Sequence, residues 1–593
     1  MKSTLITKFC VIVVFLLVST YVWGATYYVD ADASAGGDGS LSTPWDTLSD
    51  ISLSSGDTVY LDRGDTWRES LTISTANVTI SAYGSGSLPI ISGADYVNTW
   101  SQVGETNIYS ATLNTETYVV LHNTTILTED DGCGGDSDCA ENTWDWDSNT
   151  LYVNVGAGGP GADEIQASVR DTVVDVNANG VSVLNIRGEF ANGTAGVFNR
   201  VDNSITGTTF RYCGAYYFRR AGFKIQTGAT LNADATIDNN TSAYGYGNGI
   251  VVQASSSSYD LSGVTVSNNT VQNIKQLDDF AYNYGITLFY VDGQTNAVEV
   301  INNTVHTIQG GYASGTVGIK LDGDTTDGCD YVKVSENKVY DIGGNGIQVE
   351  SHSDHNTISY NWVTGTGTDI SGTGGIAIIR GSPNNYVLCN ILPGQDSNAN
   401  FNIIVQSSDD RGTSDSCLIY GNTIYETAQN FGIIVKDNGS SAGLGCAENV
   451  KVKNNIVWGL SGVNSVTAFE LDSDSYTGFE SDYNVWGENT NTQAVRFETT
   501  SWDSLSDWQT NSSTDTGSAQ DASSINSDPS FTNAAGDDFT LQRESPCIDA
   551  GVNISGYGTK LRTDSTWPSG VETCPVGNLN DIGAYEYPIW GIQ

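Results

Sequence analysis

A nine-fold recurrence constrains what this chain can fold into. Between residues 235 and 486 an apolar alternation is followed by an Asn and, two places on, by a β-branched or large apolar residue, as in VTVSNNTV, VEVINNTV, VKVSENKV, LIYGNTI and VKVKNNIV. The anchoring residues are Asn240, Asn269, Asn303, Asn337, Asn361, Asn390, Asn422, Asn455 and Asn484, on average about 30 residues apart. Such a period marks a solenoid. Residues five and three places before each Asn, such as Val298 and Val300 or Val332 and Val334, alternate as inward positions. A second inward set follows the Asn (Val305, Val339, Val457), and a third strand opens on Gly-Ile. Three short strands cannot bury their apolar face alone, but stacked coils bury one another's, each adding about 4.8 Å along the axis. With no helix-length apolar pattern, the expected fold is all-β, a right-handed parallel β-helix. The Asn column reads as scaffold, its amides bonding to corner backbone and to the Asn of the next coil.

Composition agrees. The 593 residues include 66 Gly but only 10 Pro and 1 Met, and low Lys, Glu and Met with abundant Val, Ile, Thr and Tyr suit a pleated surface. With 69 acidic against 24 basic side chains the formal charge is −45, which excludes nucleic acid as a partner. A polyanion would be repelled unless cations intervene.

Residues 1–24, with Lys2 and Lys8 ahead of the apolar run Phe9 to Val18, read as a secretory signal peptide, which predicts a secreted protein. Residues 25–94 then form an N-terminal cap and the first coils, 95–165 a small antiparallel β module, 166–490 the main β-helix and 491–593 a C-terminal cap over the last coil. Trp144 and Trp146 belong to the module, at least one of them to its core. Nine Cys remain after the signal, with Cys133–Cys139 and Cys547–Cys574 the expected disulfides.

The segments YYVDADASAGGDGSLSTPWDTLSD and GDTVYLDRGDTWRESLTI, with the repeat, resemble the secreted right-handed parallel β-helix proteins of the pectate-lyase-like superfamily. The stretch SINSDPSFTNAAGDDFTLQRESPCIDAGVN followed by DIGAYEY resembles the C-terminal region common in such bacterial proteins.

Aligning the third strands on Gly-Ile gives two outward columns. One reads Thr287, Lys320, Gln348, Ala377, Ile404, Ile434 and Glu470; the other reads Phe289, Asp322, Glu350, Ile379, Gln406, Lys436 and Asp472. Lys320, Asp322 and Glu350 thus share one outer face, with His352 and Arg380 just beyond. Two adjacent carboxylates do not ionise together without cost, so they point to a bound cation or to one raised pKa. Calcium is the expected ion, held by Asp322, Glu350 and Asp324, with Asp327 also in reach.

The family resemblance implies a calcium-assisted polysaccharide lyase acting by β-elimination on a uronate polymer. Lys320 or Arg380 is then the base, acting through a depressed pKa, and Gln348, His352 and Lys436 contact substrate. Replacing Lys320 with Ala is expected to abolish depolymerisation and leave folding intact. The alternatives are a glycoside hydrolase using Asp322 and Glu350, and a non-catalytic glycan-binding rod with Tyr244, Tyr246, Tyr282, Tyr284 and Phe289 as platforms. The hydrolase reading lacks the polygalacturonase motifs. The expected partner is a polysaccharide and the expected state a monomer.

Overall fold

Three long sheets run side by side, and each turn of the chain gives one strand to each of them. The computed structural model describes residues 24–587 apart from 105, 131–132, 134–138, 277–281, 311–314, 397, 409–410, 426–430, 438–446, 460–465, 473–474, 488–491, 498–499, 555–558, 563–572 and 576–579. The expected signal segment therefore lies outside the described residues, apart from Gly24. The first sheet runs from Thr26–Val29 to Glu480–Asp482, the second from Thr66–Trp67 to Val485–Trp486, and the third from Leu71–Ile73 to Thr500–Trp502. A representative coil holds Val298–Ile301, Thr304–Gln309 and Thr316–Asp322, each parallel to its counterpart in the next coil. The fold is the parallel β-helix that the repeat predicts.

Inside this coil Val298, Val300, Val305, Ile308, Ile319 and Leu321 are at most 2% exposed. Each such side chain contributes roughly 1.5–3 kcal/mol of burial. The Gly of each Gly-Ile start reflects crowding between coils. A Cβ on Gly318 would stand 2.5 Å from the carbonyl oxygen of Gly346 and 2.6 Å from Val339.

The nine Asn form one continuous buried ladder. Asn303 Nδ2 donates to Asn337 Oδ1 at 3.0 Å, and Asn337 Nδ2 donates to Asn361 Oδ1 at the same distance. The same link joins Asn240 to Asn269, and so on to Asn455 and Asn484. Each Oδ1 also accepts the preceding Asn's backbone N–H, and each Nδ2 reaches a carbonyl of the coil before, as Asn337 does to Val300. At the far end Asn484 donates its backbone N–H to Ser524 Oγ and its Nδ2 to Asp521 Oδ1. Asp521 is fully buried and also accepts from Trp486 Nε1, Trp508 Nε1, Ser481 Oγ and Ser524 Oγ.

Each residue just before a ladder Asn adopts the left-handed conformation, from Asn239 (φ 55°) through Glu336 (61°), Tyr360 (58°) and Cys389 (52°) to Tyr483 (59°). This backbone disfavours residues other than Gly, Asn and Asp, so the ladder imposes it.

Two departures from the solenoid flank the second sheet. A module of four-stranded and five-stranded sheets occupies Ala94–Val97 through Ile165–Ser168, its strands mostly antiparallel. Trp144 (2% exposed) lies in its core with Val153 and Ile165, while Trp146 packs at the edge and donates Nε1–H to Leu113 O. Cys133 and Cys139 are disulfide-bonded. The expected Cys547–Cys574 pair falls on a residue whose side chain lies outside the described residues.

Only part of residues 491–593 caps the last coil. The helix Leu505–Thr516 puts Leu505 and Trp508 into the end of the core. The described parts of residues 525–587 instead return along the side of the solenoid. The cause is a change in one outward column of the second sheet, where Lys338 is followed by Trp362, Ile391, Thr423, Ile456 and Val485. The apolar members of that column are buried under Phe531, Phe539, Leu541, Ile582 and Tyr585. No helix among the described residues is long and apolar enough to cross a membrane.

Asn337→Ala should lower stability by about 3 kcal/mol, because it strips partners from buried donors and acceptors in two coils. Asn302→Gly, at an exposed left-handed position, should cost at most a few tenths of that. Shifts in the urea midpoint of the two variants measure the difference.

Candidate active site

The third sheet places the expected residues through its register. Thr287 pairs with Lys320, Lys320 with Gln348, Gln348 with Ala377, and Phe289 with Asp322. Ile319, Leu321, Ile347 and Val349 point into the core, so Lys320, Asp322 and Gln348 point out. Glu350 continues its strand beside Asp322, its N–H bonded to Leu321 O at 3.0 Å. Ser351 and His352 then take left-handed backbone (φ 59° and 60°), and the chain turns away.

Lys320 is the centre of this arrangement. Its Nζ lies 2.6 Å from Glu350 Oε1, 2.9 Å from Asp322 Oδ2 and 3.0 Å from Tyr284 Oη. An ammonium has three N–H donors, and here all three have an oxygen. Tyr284 comes from the preceding coil, in the strand Asn283–Phe289. Arg380, at a left-handed position and about half exposed, brings Nη1 to 3.6 Å from Glu350 Oε2. Gln348 Oε1 accepts from Asn345 Nδ2 at 2.6 Å. The group expected at the surface is buried, with Lys320 only 3% and Glu350 5% exposed.

Burial alone would discharge all three ionisable groups. For Lys320 the charges of Glu350 and Asp322 outweigh it and push the ammonium's pKa far above its ordinary value. For Glu350 burial pulls upward, but Lys320 and then Arg380 hold its carboxyl below the usual range. Asp322 goes the other way, because burial and the charge of Glu350 together outweigh Lys320. The depressed pKa expected of a basic Lys320 is thus reversed. The same burial changes what is expected of Lys320→Ala, which should cost stability because it would leave two buried carboxylates facing each other.

Calcium does not fit the expected ligands. It requires six to eight oxygens, whereas Asp322 and Glu350 close on the Lys320 ammonium. Asp324 serves its own loop, where burial is outweighed by bonds from Thr326 Oγ1, Thr326 N and Asp327 N that hold its carboxyl down to about 2. Asp327 lies in the same loop, its Oδ1 accepting from Gly328 N. Among the described residues three carboxylates converge within 4.8 Å only at Asp30, Asp62 and Asp65, in the first coils.

The other expected residues scatter. His352 Nδ1 lies 3.0 Å from Asp324 O, at the rim of the cluster. Lys436 shares the column of Glu350 but stands three coils away, roughly 14 Å along the axis. Asn345 was not among the expected site residues, and Tyr284, expected as an exposed sugar platform, is instead 4% exposed with its hydroxyl on Lys320. Both lie at the start of a third strand, a position where the Gly-Ile alignment signals packing rather than chemistry.

No protein-family model matches this chain, and no curated protein does. Solved structures with a similar course include XylC in complex with xylose (13% identity, 80% of this chain and 86% of that one, TM-score 0.45). An alginate lyase, AlyF-OU02 in complex with G6, aligns at 12% identity over 77% and 88% of the two chains with a TM-score of 0.43. The pectate lyase Pel9A aligns at 12% identity over 95% and 96%, with a TM-score of 0.37. At these TM-scores none of them determines the activity of this chain.

Lys320→Met should destabilise the protein by about 3–5 kcal/mol, the cost of breaking a buried charge cluster from one side. Adding Glu350→Gln to Lys320→Met should cost less than the two single losses combined. A double-mutant cycle in denaturant tests this coupling, and additive losses would contradict it.

Proposed function

We propose that this chain is an exported carbohydrate-active enzyme that hydrolyses glycosidic bonds with Asp322 and Glu350. The observation that carries the reading is two carboxyl groups brought together on one buried ammonium, Glu350 Oε1 at 2.6 Å and Asp322 Oδ2 at 2.9 Å from Lys320 Nζ, with burial favouring a proton on Asp322 and Lys320 favouring charge on Glu350. The two oxygens held by Lys320 can be at most about 5.5 Å apart, the sum of their distances to its Nζ, which is too close for the water that an inverting glycosidase places between its carboxyl groups.

In this reading Asp322 keeps its proton and passes it to the departing glycosidic oxygen. Glu350, ionised, attacks the anomeric carbon and forms a glycosyl ester, and water then cleaves that ester with Asp322 as base. Lys320 and Tyr284 are positioning residues, Lys320 holding Glu350 ionised and both carboxylates in place. Arg380 and His352 at the rim, Gln348 beside Glu350 and, further along the column, Lys436 are the candidate substrate contacts. No step runs through calcium.

Elimination is the second reading, favoured by one observation. Arg380 is about half exposed beside Glu350, where it could receive a uronate carboxylate or act as the base. Lys320 cannot take that role while both carboxylates hold its proton.

Incubation with acidic and neutral polysaccharides, recording reducing ends and unsaturated-uronate absorbance together, separates these readings. Reducing ends without absorbance are expected, unchanged by a chelator. Absorbance would replace hydrolysis with elimination, and neither signal would leave a binding rod. Glu350→Gln should lower kcat by roughly 10³-fold, and Asp322→Asn by a similar factor. Because Glu350 is held low and Asp322 high, activity should survive below the ordinary Glu range and fall on the alkaline side as Asp322 loses its proton.

A further inference from the structure

The outward face of the second sheet is covered near its start by the module of residues 94–168 and towards its end by residues 525–587. Where the module meets the open stretch there is a cleft of about 290 Å³, lined by Arg68, Gln166, Arg187, Glu189, Tyr96 and Tyr217, with Asn123 and Thr124 at its mouth. Arg187 and Arg68 belong to coils four and six turns from that of Lys320, roughly 19 and 29 Å along the axis, and the cleft faces out from a different sheet.

We propose that this cleft binds one anionic sugar residue, bearing a carboxylate or a sulfate ester, of a polysaccharide chain that continues over Tyr217 and Tyr244 along the second sheet. Arg68 is fixed with its guanidinium 3.7 Å from the centre of the Tyr96 ring. It donates to Ala94 O at 3.1 Å and to Gln166 Oε1 at 3.0 Å, both neutral acceptors. Arg187 lies over the Tyr216 ring at 4.2 Å and pairs with the buried Glu189. The cleft thus sets two guanidiniums around one carboxylate, leaving one positive charge to match.

In a chain of net charge −45, a cleft with surplus positive charge selects for an anion. A planar guanidinium suits a carboxylate or sulfate oxygen pair. The cleft lies at the lower end of small-ligand sites, about 300 Å³, which suits one sugar ring rather than a chain. Beyond it Tyr217, backed at 5.1 Å by the buried Phe190, runs on to Tyr244 at 5.9 Å, which is 42% exposed. Pyranose rings pack their C–H faces on such surfaces. The site would anchor polymer away from the carboxylate pair, so it stands whether or not Asp322 and Glu350 cleave.

The test is calorimetric titration of the full-length Glu350→Gln protein with three hexasaccharides: a galacturonate hexamer, a heparin-derived sulfated hexamer and neutral cellohexaose. Binding of one or both anionic probes, with cellohexaose at least tenfold weaker, is expected, and the two anionic arms tell carboxylate from sulfate. Arg68→Met should reduce anionic binding at least tenfold, with Arg68→Lys in between. Asn123→Asp, an exposed change that adds a negative charge at the mouth, should weaken it even if Arg68→Met does not fold. Equal binding of all three probes, no binding of either anion, or anionic affinity unmoved by Asn123→Asp would overturn the proposal.

Discussion

The rest of the structure depends on a hydrogen bond made nine coils deep, the side-chain amide of one corner Asn donating to the next. A solenoid corner leaves peptide groups that no sheet can pair, and a buried unpaired group costs about 1–3 kcal/mol. The ladder supplies those partners and holds Glu336, Tyr360, Cys389 and Tyr483 in a backbone conformation that they would not choose. With the corner fixed, the register of all three sheets is fixed too. A slip of one residue would turn Lys320 and Asp322 inward and Ile319 and Leu321 outward.

That register makes a buried charge cluster tolerable. An ammonium and two carboxylates out of water are costly unless every donor is met, and Lys320 meets three oxygens that come from three successive coils. Such a group carries little net stability. What it does is hold two neighbouring carboxyl groups on one ammonium at a single place on an otherwise repetitive face. The Arg68 cleft uses the opposite imbalance, with surplus positive charge in a strongly acidic chain.

Much of this was legible in the sequence because strand alternation and a constant corner leave few choices. The columns Thr287–Lys320–Gln348 and Phe289–Asp322, written from the Gly-Ile alignment alone, are the observed pairings. What the columns do not carry is depth. Nothing in the spacing says that Lys320 is buried, that Tyr284 from the preceding coil reaches its ammonium, or that the ammonium occupies the place assigned to calcium. The return of residues 525–587 along the solenoid did leave a trace, the change from Lys338 to Trp362, Ile391, Ile456 and Val485 in one column. That trace lies outside the Asn motif and reads as packing only once the second sheet's register is known. The Arg68 cleft joins residues from separate elements across an inserted module, and no periodicity links them.

The ladder also has a direction. Every Asn-to-Asn link donates towards the C-terminal end and accepts from the N-terminal side, although each Nδ2 also reaches back to a carbonyl of the coil before, so the aligned amide C=O groups add along the axis as peptide dipoles do in an α-helix. The donor end bears the positive pole, and there the chain has buried the carboxylate of Asp521. The rod is therefore polar, with an acceptor tail, where Asn240 Oδ1 takes the N–H of Cys213, and a donor head closed by an anion. Two such rods could continue one another's ladder only head to tail, and the anion and helix that close the head stand in the way of even that.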